Sequence, residues 1–184
     1  RNHHSVGMGN ITEVATSAPG NSSIRPNTKA PLAETLKLNG YSTAQFGKCQ
    51  EVPVWETSPM GPFNAWPTGG GGFEYFYGFV GGDANQWQPN LFRNTTQIYP
   101  FLGKPGWNLI TGMADDAIDY MTRIHQTDPS KPMFIKYAPG ATHAPHHPTK
   151  EWVDKISRMK LFDDGWNKVR ERIFENQKRL GVIP

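Results

Sequence analysis

Apolar and polar positions sort this chain into short helices and strands, interrupted by one long irregular stretch. Pro31 opens the run Leu32-Ala33-Glu34-Thr35-Leu36-Lys37-Leu38, and Asn39-Gly40 closes it. Proline is tolerated at the first position of a helix and glycine is favoured just past the last, so the segment predicts a helix. Tyr41-Ser42-Thr43-Ala44-Gln45-Phe46 follows as a short β-prone strand. Between Asn108 and His125, the residues Ile110, Met113, Ala114, Ala117, Ile118 and Met121 recur at i, i+3, i+4 spacing. That spacing predicts a helix with these side chains on its apolar face. Asp128-Pro129-Ser130 is a turn, and Met133-Phe134-Ile135-Lys136-Tyr137-Ala138 is the strongest strand pattern in the chain. Residues 149–158 and 164–179 predict two further helices. Residues 1–29 are polar and broken by Pro19-Gly20, Asn21-Ser22-Ser23 and Arg25-Pro26, so they read as loop.

The irregular stretch runs from Gly47 to about Gly106 and is rich in Pro, Gly and aromatic residues. Without clear periodicity it predicts a functional loop region. Its aromatics (Trp55, Trp66, Phe73, Tyr75, Phe76, Tyr77, Trp87) have two readings: packing the loops onto the domain, favoured for most of them, or lining a substrate entrance. Strand–helix–strand order with long loops after the strands predicts an α/β fold with a mostly parallel sheet flanked by helices. Ligands in such sheets sit beyond the carboxyl ends of the strands.

Composition narrows the picture. Hydrophobic residues make up 36%, and the 19 glycines bring the chain into the globular range. One domain spanning 1–184 is the expectation from length. No run of 18 apolar residues exists, which excludes a membrane-spanning helix. The start Arg1-Asn2-His3-His4 carries neither an initiator Met nor a signal peptide; a chain opening on Arg in a polar loop is expected to be an internal piece of a longer one. Cytoplasmic and periplasmic locations both stay open. The single Cys49 rules out an internal disulfide and any multi-thiolate metal site. Residues 150–180 hold nine Lys/Arg and six Asp/Glu, which accounts for the whole net charge of +3. That excess reads as a solvated helix face, and no basic stripe suited to nucleic acid is present.

Both expected strands run into polar clusters: Gly47-Lys48-Cys49-Gln50-Glu51 after the first, and Pro139-Gly140-Ala141-Thr142-His143-Ala144-Pro145-His146-His147-Pro148 after the second. A lysine beyond a strand-terminal glycine can meet an anion such as sulfate or phosphate. A histidine at the second strand end can donate to that anion or protonate a departing oxygen. His143, His146 and His147 taken as a transition-metal set lack a third or fourth ligand. Asp115-Asp116 sits on the expected helix and reads as a solvated face.

The segment Gly40-Tyr41-Ser42-Thr43-Ala44-Gln45-Phe46-Gly47-Lys48 resembles the second signature of the type I sulfatases, a glycine-tyrosine-x-threonine segment ending in glycine-lysine. Arg1 is similar to the last residue of their first signature, and Thr142-His143-Ala144-Pro145 to their later histidine-x-proline segment. Long insertions such as 55–63 and 85–87 are similar to those of large bacterial arylsulfatases. The resemblance implies a central portion of an alkaline phosphatase-like (sulfatase) fold and an arylsulfatase-type sulfuric ester hydrolase as parent. Lys48 would then contact the sulfate group and its bridging oxygen, and His143 would hold a sulfate oxygen and assist the leaving group. His146 is a further candidate. Gln50 stands where the family usually has a histidine that orients the formylglycine nucleophile, and glutamine cannot shuttle a proton near pH 7.

The same resemblance places the nucleophile upstream of Arg1, and Cys49 does not fit the modification motif. It implies calcium for the full-length parent, with ligands upstream and downstream, and no metal ligands within this chain. Little turnover is therefore expected of the 184 residues alone. A truncated sulfatase that binds small anions, and a related phosphatase or phosphonate hydrolase, are the alternatives. The expected partner is a small-molecule sulfate ester or aromatic ligand, with no nucleic acid and no membrane. Self-association, or contact with missing segments of the parent, follows from the sheet edges a truncated fold would expose.

Overall fold

The computed structural model describes residues 3–26 and 28–184, so the reading of Arg1 lies outside the described residues. The chain divides into two compact units, one ending at His147 and one spanning Pro148–Pro184.

The first unit is a mixed α/β structure around a five-stranded sheet of order β4-β3-β2-β1-β5. β1 (Ser42–Cys49) lies in the middle, parallel to both β2 (Tyr75–Val80) and β5 (Met133–Ala138). β3 (Leu91–Arg93) runs antiparallel to β2, and β4 (Thr96–Ile98) antiparallel to β3. Helix α1 (Leu32–Lys37) packs against β1, and helix α2 (Leu109–Thr127) packs against β1 and β2. Helices therefore flank a mixed sheet rather than the mostly parallel one expected, since two of its four pairings are antiparallel; the central strand, parallel to both neighbours, is buried on both faces.

Local chemistry sets the element ends. After α1, the Gly40 N–H bonds the Lys37 carbonyl at 3.1 Å and the Tyr41 N–H bonds the Leu36 carbonyl at 3.1 Å, with Gly40 at φ +88°. That pair of bonds is a Schellman cap, and the left-handed residue it needs is glycine. At the start of α2, the Asn108 side chain accepts the Ile110 N–H at 3.0 Å, satisfying one of the orphan donors of the first turn.

Side chains alternate across the sheet into two cores. Ala44, Phe46, Tyr77, Phe79 and Leu91 meet Leu109, Met113, Ala117 and Tyr120 of α2. On the opposite face Cys49, Val52, Phe76 and Phe92 surround Trp66, which stands edge-on to Phe92 at 4.9 Å between ring centroids.

Three further expectations need correction. β1 does not stop at Phe46 but continues through Gly47, Lys48 and Cys49, so the lysine is a strand residue rather than one beyond it. The stretch 47–106 is not a single loop region, for it contains β2, β3 and β4, and Trp66, Phe73, Phe76 and Tyr77 are buried in it. The apolar face of α2 is Leu109, Met113, Ala117 and Tyr120; Ile110, Ile118 and Met121 are exposed.

The second unit contains α3 (Lys150–Arg158) and α4 (Gly165–Arg179), and neither helix has a buried residue. Among the described residues, no helix is long and apolar enough to cross a membrane.

Candidate anion site at the strand ends

Because β2, β1 and β5 are parallel neighbours, their carboxyl ends open on one side of the sheet. Gly47 is level with Gly78 of β2 and Ala138 of β5. Gly47 has φ +95°, and a Cβ there would collide with the Ala138 carbonyl and lie 2.8 Å from the Met113 sulfur. A Cβ on Gly78 would in turn strike the Gly47 carbonyl. Glycine at both positions lets the three strands close up just before the polar residues begin.

Lys48 is half-buried, and its backbone carbonyl accepts the buried Gln45 amide at 3.0 Å. Its ammonium makes no hydrogen bond or ion pair with any described residue; the charge it interacts with is that of Glu13. The Gln50 amide donates to Glu13 Oε1 at 2.7 Å. Burial pulls the Glu13 carboxyl upward, but its backbone hydrogen bond, Gln50, Thr12 and the Lys48 charge together hold it below its ordinary value. Gln50 is thus committed to a carboxylate, in a hollow of about 300 Å³ lined also by Thr12 and Glu51. Glu51 pairs with Lys136 of β5 at 2.5 Å and with Arg25 at 3.9 Å.

The second cluster follows β5. The His143 N–H bonds the Gly140 carbonyl at 3.0 Å, and the His143 ring Nδ1 lies 2.7 Å from the Ala144 carbonyl. With Nδ1 donating there, Nε2 is left to face solvent or a ligand. His143 and His146 are both exposed. Lys48 and His143 share the same end of the sheet, but no hydrogen bond links them.

Sequence reasoning missed Gln86, which is 3% exposed. Its N–H donates to His147 Nδ1 at 3.3 Å, its carbonyl accepts the Leu109 N–H at 2.8 Å, and its amide nitrogen donates to the Ala84 carbonyl at 2.9 Å. It therefore joins the loop after β2, the start of α2 and the histidine loop. Its Oε1 is buried without a partner among the described residues. No spacing rule would single out one glutamine in an irregular segment.

Asp116 also departs from expectation. It is not a solvated helix residue: it pairs with Arg93 of β3 and accepts the Tyr75 hydroxyl, and its side chain is 9% exposed. Among the described residues, no three His, Cys, Asp or Glu side chains converge on a point.

The sulfatase family model matches residues 1–177, and the chain belongs to the sulfatase family. Its fold is that of the alkaline phosphatase-like sulfatases. A crystal structure of Ps i-CgsB in complex with k-i-k-neocarrahexaose superposes with a TM-score of 0.58 at 19% identity, over 81% of this chain and 34% of that one. The chain spans about a third of the length of that structural relative. No curated protein matches the chain.

Proposed function

We propose that the chain supplies the sulfate-contacting part of an arylsulfatase-type sulfuric ester hydrolase. One observation carries this reading: Lys48 presents an ammonium unpaired by any described residue, at the carboxyl end of the central strand, where an anionic ligand of a parallel sheet belongs. Attack at the sulfur of a sulfate ester breaks the bond to the bridging oxygen, and the electron pair of that bond goes to the leaving oxygen. A fixed cation beside that oxygen stabilises the developing charge more than it stabilises the neutral ester. His143, with Nδ1–H donated to the Ala144 carbonyl, gives the leaving oxygen a proton from Nε2 when the ring enters the reaction as the imidazolium, and is left as the neutral Nδ1–H tautomer. The nucleophile that the family resemblance implies lies outside these two clusters.

A second reading, anion binding without turnover, draws on Gln50. Its amide is occupied by Glu13 and cannot replace the proton-transferring histidine of the family pattern.

Titration of the chain with 4-nitrophenyl sulfate, followed by hydrolysis assays on 4-nitrophenyl sulfate and 4-nitrophenyl phosphate, tests both. We expect Lys48→Ala to weaken aryl sulfate binding roughly ten- to a hundredfold, the range for loss of a charged hydrogen-bond donor. Faster hydrolysis of the phosphate would transfer the reading to a phosphatase. Lys48-dependent binding without hydrolysis is the outcome both readings expect of this chain, hydrolysis of the aryl sulfate would remove the binding-only reading, and unchanged affinity in Lys48→Ala would sink both.

A further inference from the structure

Sulfate and phosphate monoesters share a tetrahedral shape and the same kind of oxygens, so a cation alone does not select the sulfate. They differ in charge. A sulfate monoester carries one negative charge, while a phosphate monoester, with a second pKa of about 6, carries about two at pH 8. A fixed cation attracts the dianion more strongly. Selecting the sulfate therefore takes a repulsive element as well as an attractive one.

Glu13 has the placement and the charge for that part. It lies in the single helical turn Thr12–Val14, beside the buried Thr12. Ser23, 2% exposed, ties this loop down by donating its hydroxyl to the Asn10 carbonyl at 2.7 Å. Glu13 Oε1 accepts the Gln50 amide at 2.7 Å, and Oε2 accepts the Thr12 hydroxyl at 3.2 Å. A Cβ on Gly82, in the loop after β2, would lie 3.0 Å from that Oε1 and 3.2 Å from Gln50 Nε2. The Glu13–Gln50 pair thus packs directly on the Gly82 backbone. Lys48 and Gln50 are two residues apart at the end of β1, the spacing that puts side chains on one face of an extended chain. The carboxylate is thereby held on the Lys48 side of the strand end.

The donors that hold Glu13 are neutral: an amide, a hydroxyl and its own backbone N–H. They fix the carboxylate without cancelling its charge, and no described cation is in ion-pair contact with it. Glu51, the other carboxylate at this strand end, is offset by Lys136 and Arg25. Resting on the sulfatase reading above, we propose that Glu13 is a specificity-determining residue whose carboxylate screens the Lys48 ammonium, so that the strand-end site takes monoanionic sulfate esters and disfavours dianionic phosphate esters. Gln50 serves it by holding the carboxylate in place. Each charge on the ligand meets the Glu13 charge once, so removing that charge tightens a dianion by about the square of the factor for a monoanion. For charges roughly 8 Å apart in a dielectric near that of water, the factor is about two to three, and it grows with burial.

The test is binding of 4-nitrophenyl sulfate, 4-nitrophenyl phosphate and the diester 4-nitrophenyl methyl phosphate to the 184-residue chain at pH 8 and low salt. Glu13→Gln keeps an oxygen for the Gln50 amide and removes the charge. It is expected to tighten the sulfate about two- to threefold and the phosphate monoester by about the square of that factor. The diester contains phosphorus but carries one charge, so it should follow the sulfate. Glu13→Asp keeps the charge and should keep the parent's preference, and matching circular dichroism shows that the variants fold. A sulfate-to-phosphate affinity ratio that Glu13→Gln leaves unchanged overturns the proposal, and so does a diester that shifts as far as the dianion. Failure of all three esters to bind at millimolar concentration overturns it together with the sulfatase reading. A ratio that shifts in Glu13→Gln while Lys48→Ala leaves sulfate affinity unchanged would keep Glu13 as the charge filter and remove Lys48 as the anion's partner.

Discussion

Gly47 shows how a single missing side chain fixes the site. Its backbone sits at φ +95°, and a methyl group there would collide with the neighbouring strand's carbonyl and crowd Met113 from the helix side. Gly47→Ala is therefore expected to cost about 3 kcal/mol or more, from conformational strain together with overpacking. Urea unfolding checks this: the midpoint should fall while the slope stays constant, and an unchanged midpoint would refute it. The sequence pattern made Gly47-Lys48 stand out but misplaced it, because a glycine after an apolar run looks like the end of a strand. In the fold it is instead a residue within β1, where a side chain would strike the Ala138 carbonyl of the adjacent strand. Lys48 and His143 could be picked out by charge type and position after strand patterns. Glu13 and Gln86 could not, since their roles depend on contacts 37 and 61 residues away in the chain.

At the scale of elements, α2 was legible as a helix, and Met113 and Ala117 of its expected face are buried, but the rest of that face was not legible. Ile110, Ile118 and Met121 obey helical spacing as well as the stripe that is actually buried, and periodicity alone cannot choose between two apolar stripes. Polar contacts accompany the observed choice: Asp116 on α2 holds Arg93 of β3 and the hydroxyl of Tyr75 of β2. β2 was missed for a related reason. Buried on both faces, it reads Tyr-Phe-Tyr-Gly-Phe-Val with no alternation, and β3 and β4 are only three residues each. The Tyr75–Asp116 contact has a titration signature. Burial first, and then the hydrogen bond and charge of Asp116, push the Tyr75 hydroxyl up to about 12 from its ordinary 10.0. A phenol whose pKa is raised by folding adds stability that is fully present below about pH 10. That stability is lost as pH climbs through about 12, because the unfolded chain gives up the proton first. Tyr75→Phe should cost about 1 kcal/mol at neutral pH through the lost hydrogen bond, and should flatten the decline of stability above pH 10. Tyr77, also pushed up to about 12 by burial, shares this limb, so an alkaline decline as steep as the parent's would show that Tyr75 contributes nothing to it.

The whole molecule joins two units of different internal character. In the first, β1 and β2 lie in a sheet with apolar clusters on both faces, so exposing their amides to solvent requires taking both clusters apart. In the second, α3 and α4 contain no buried residue, and Trp152, Phe162, Trp166 and Phe174 are among the exposed apolar side chains. Helices of nine and fifteen residues have little stability of their own in water, and most of a helix's stability in proteins comes from burying an apolar face. Opening α3 or α4 therefore costs far less free energy than opening the sheet, and the two units should differ in amide protection even where both are fully hydrogen-bonded. Hydrogen exchange followed by mass spectrometry is expected to label residues 150–179 at least a hundredfold faster than 42–49 and 75–80. The same contrast should appear at each ligand concentration if the strand-end site belongs to the first unit alone. Equal protection in the two units would mean that α3 and α4 have a buried face in solution, and would refute their description as an unsupported helical pair.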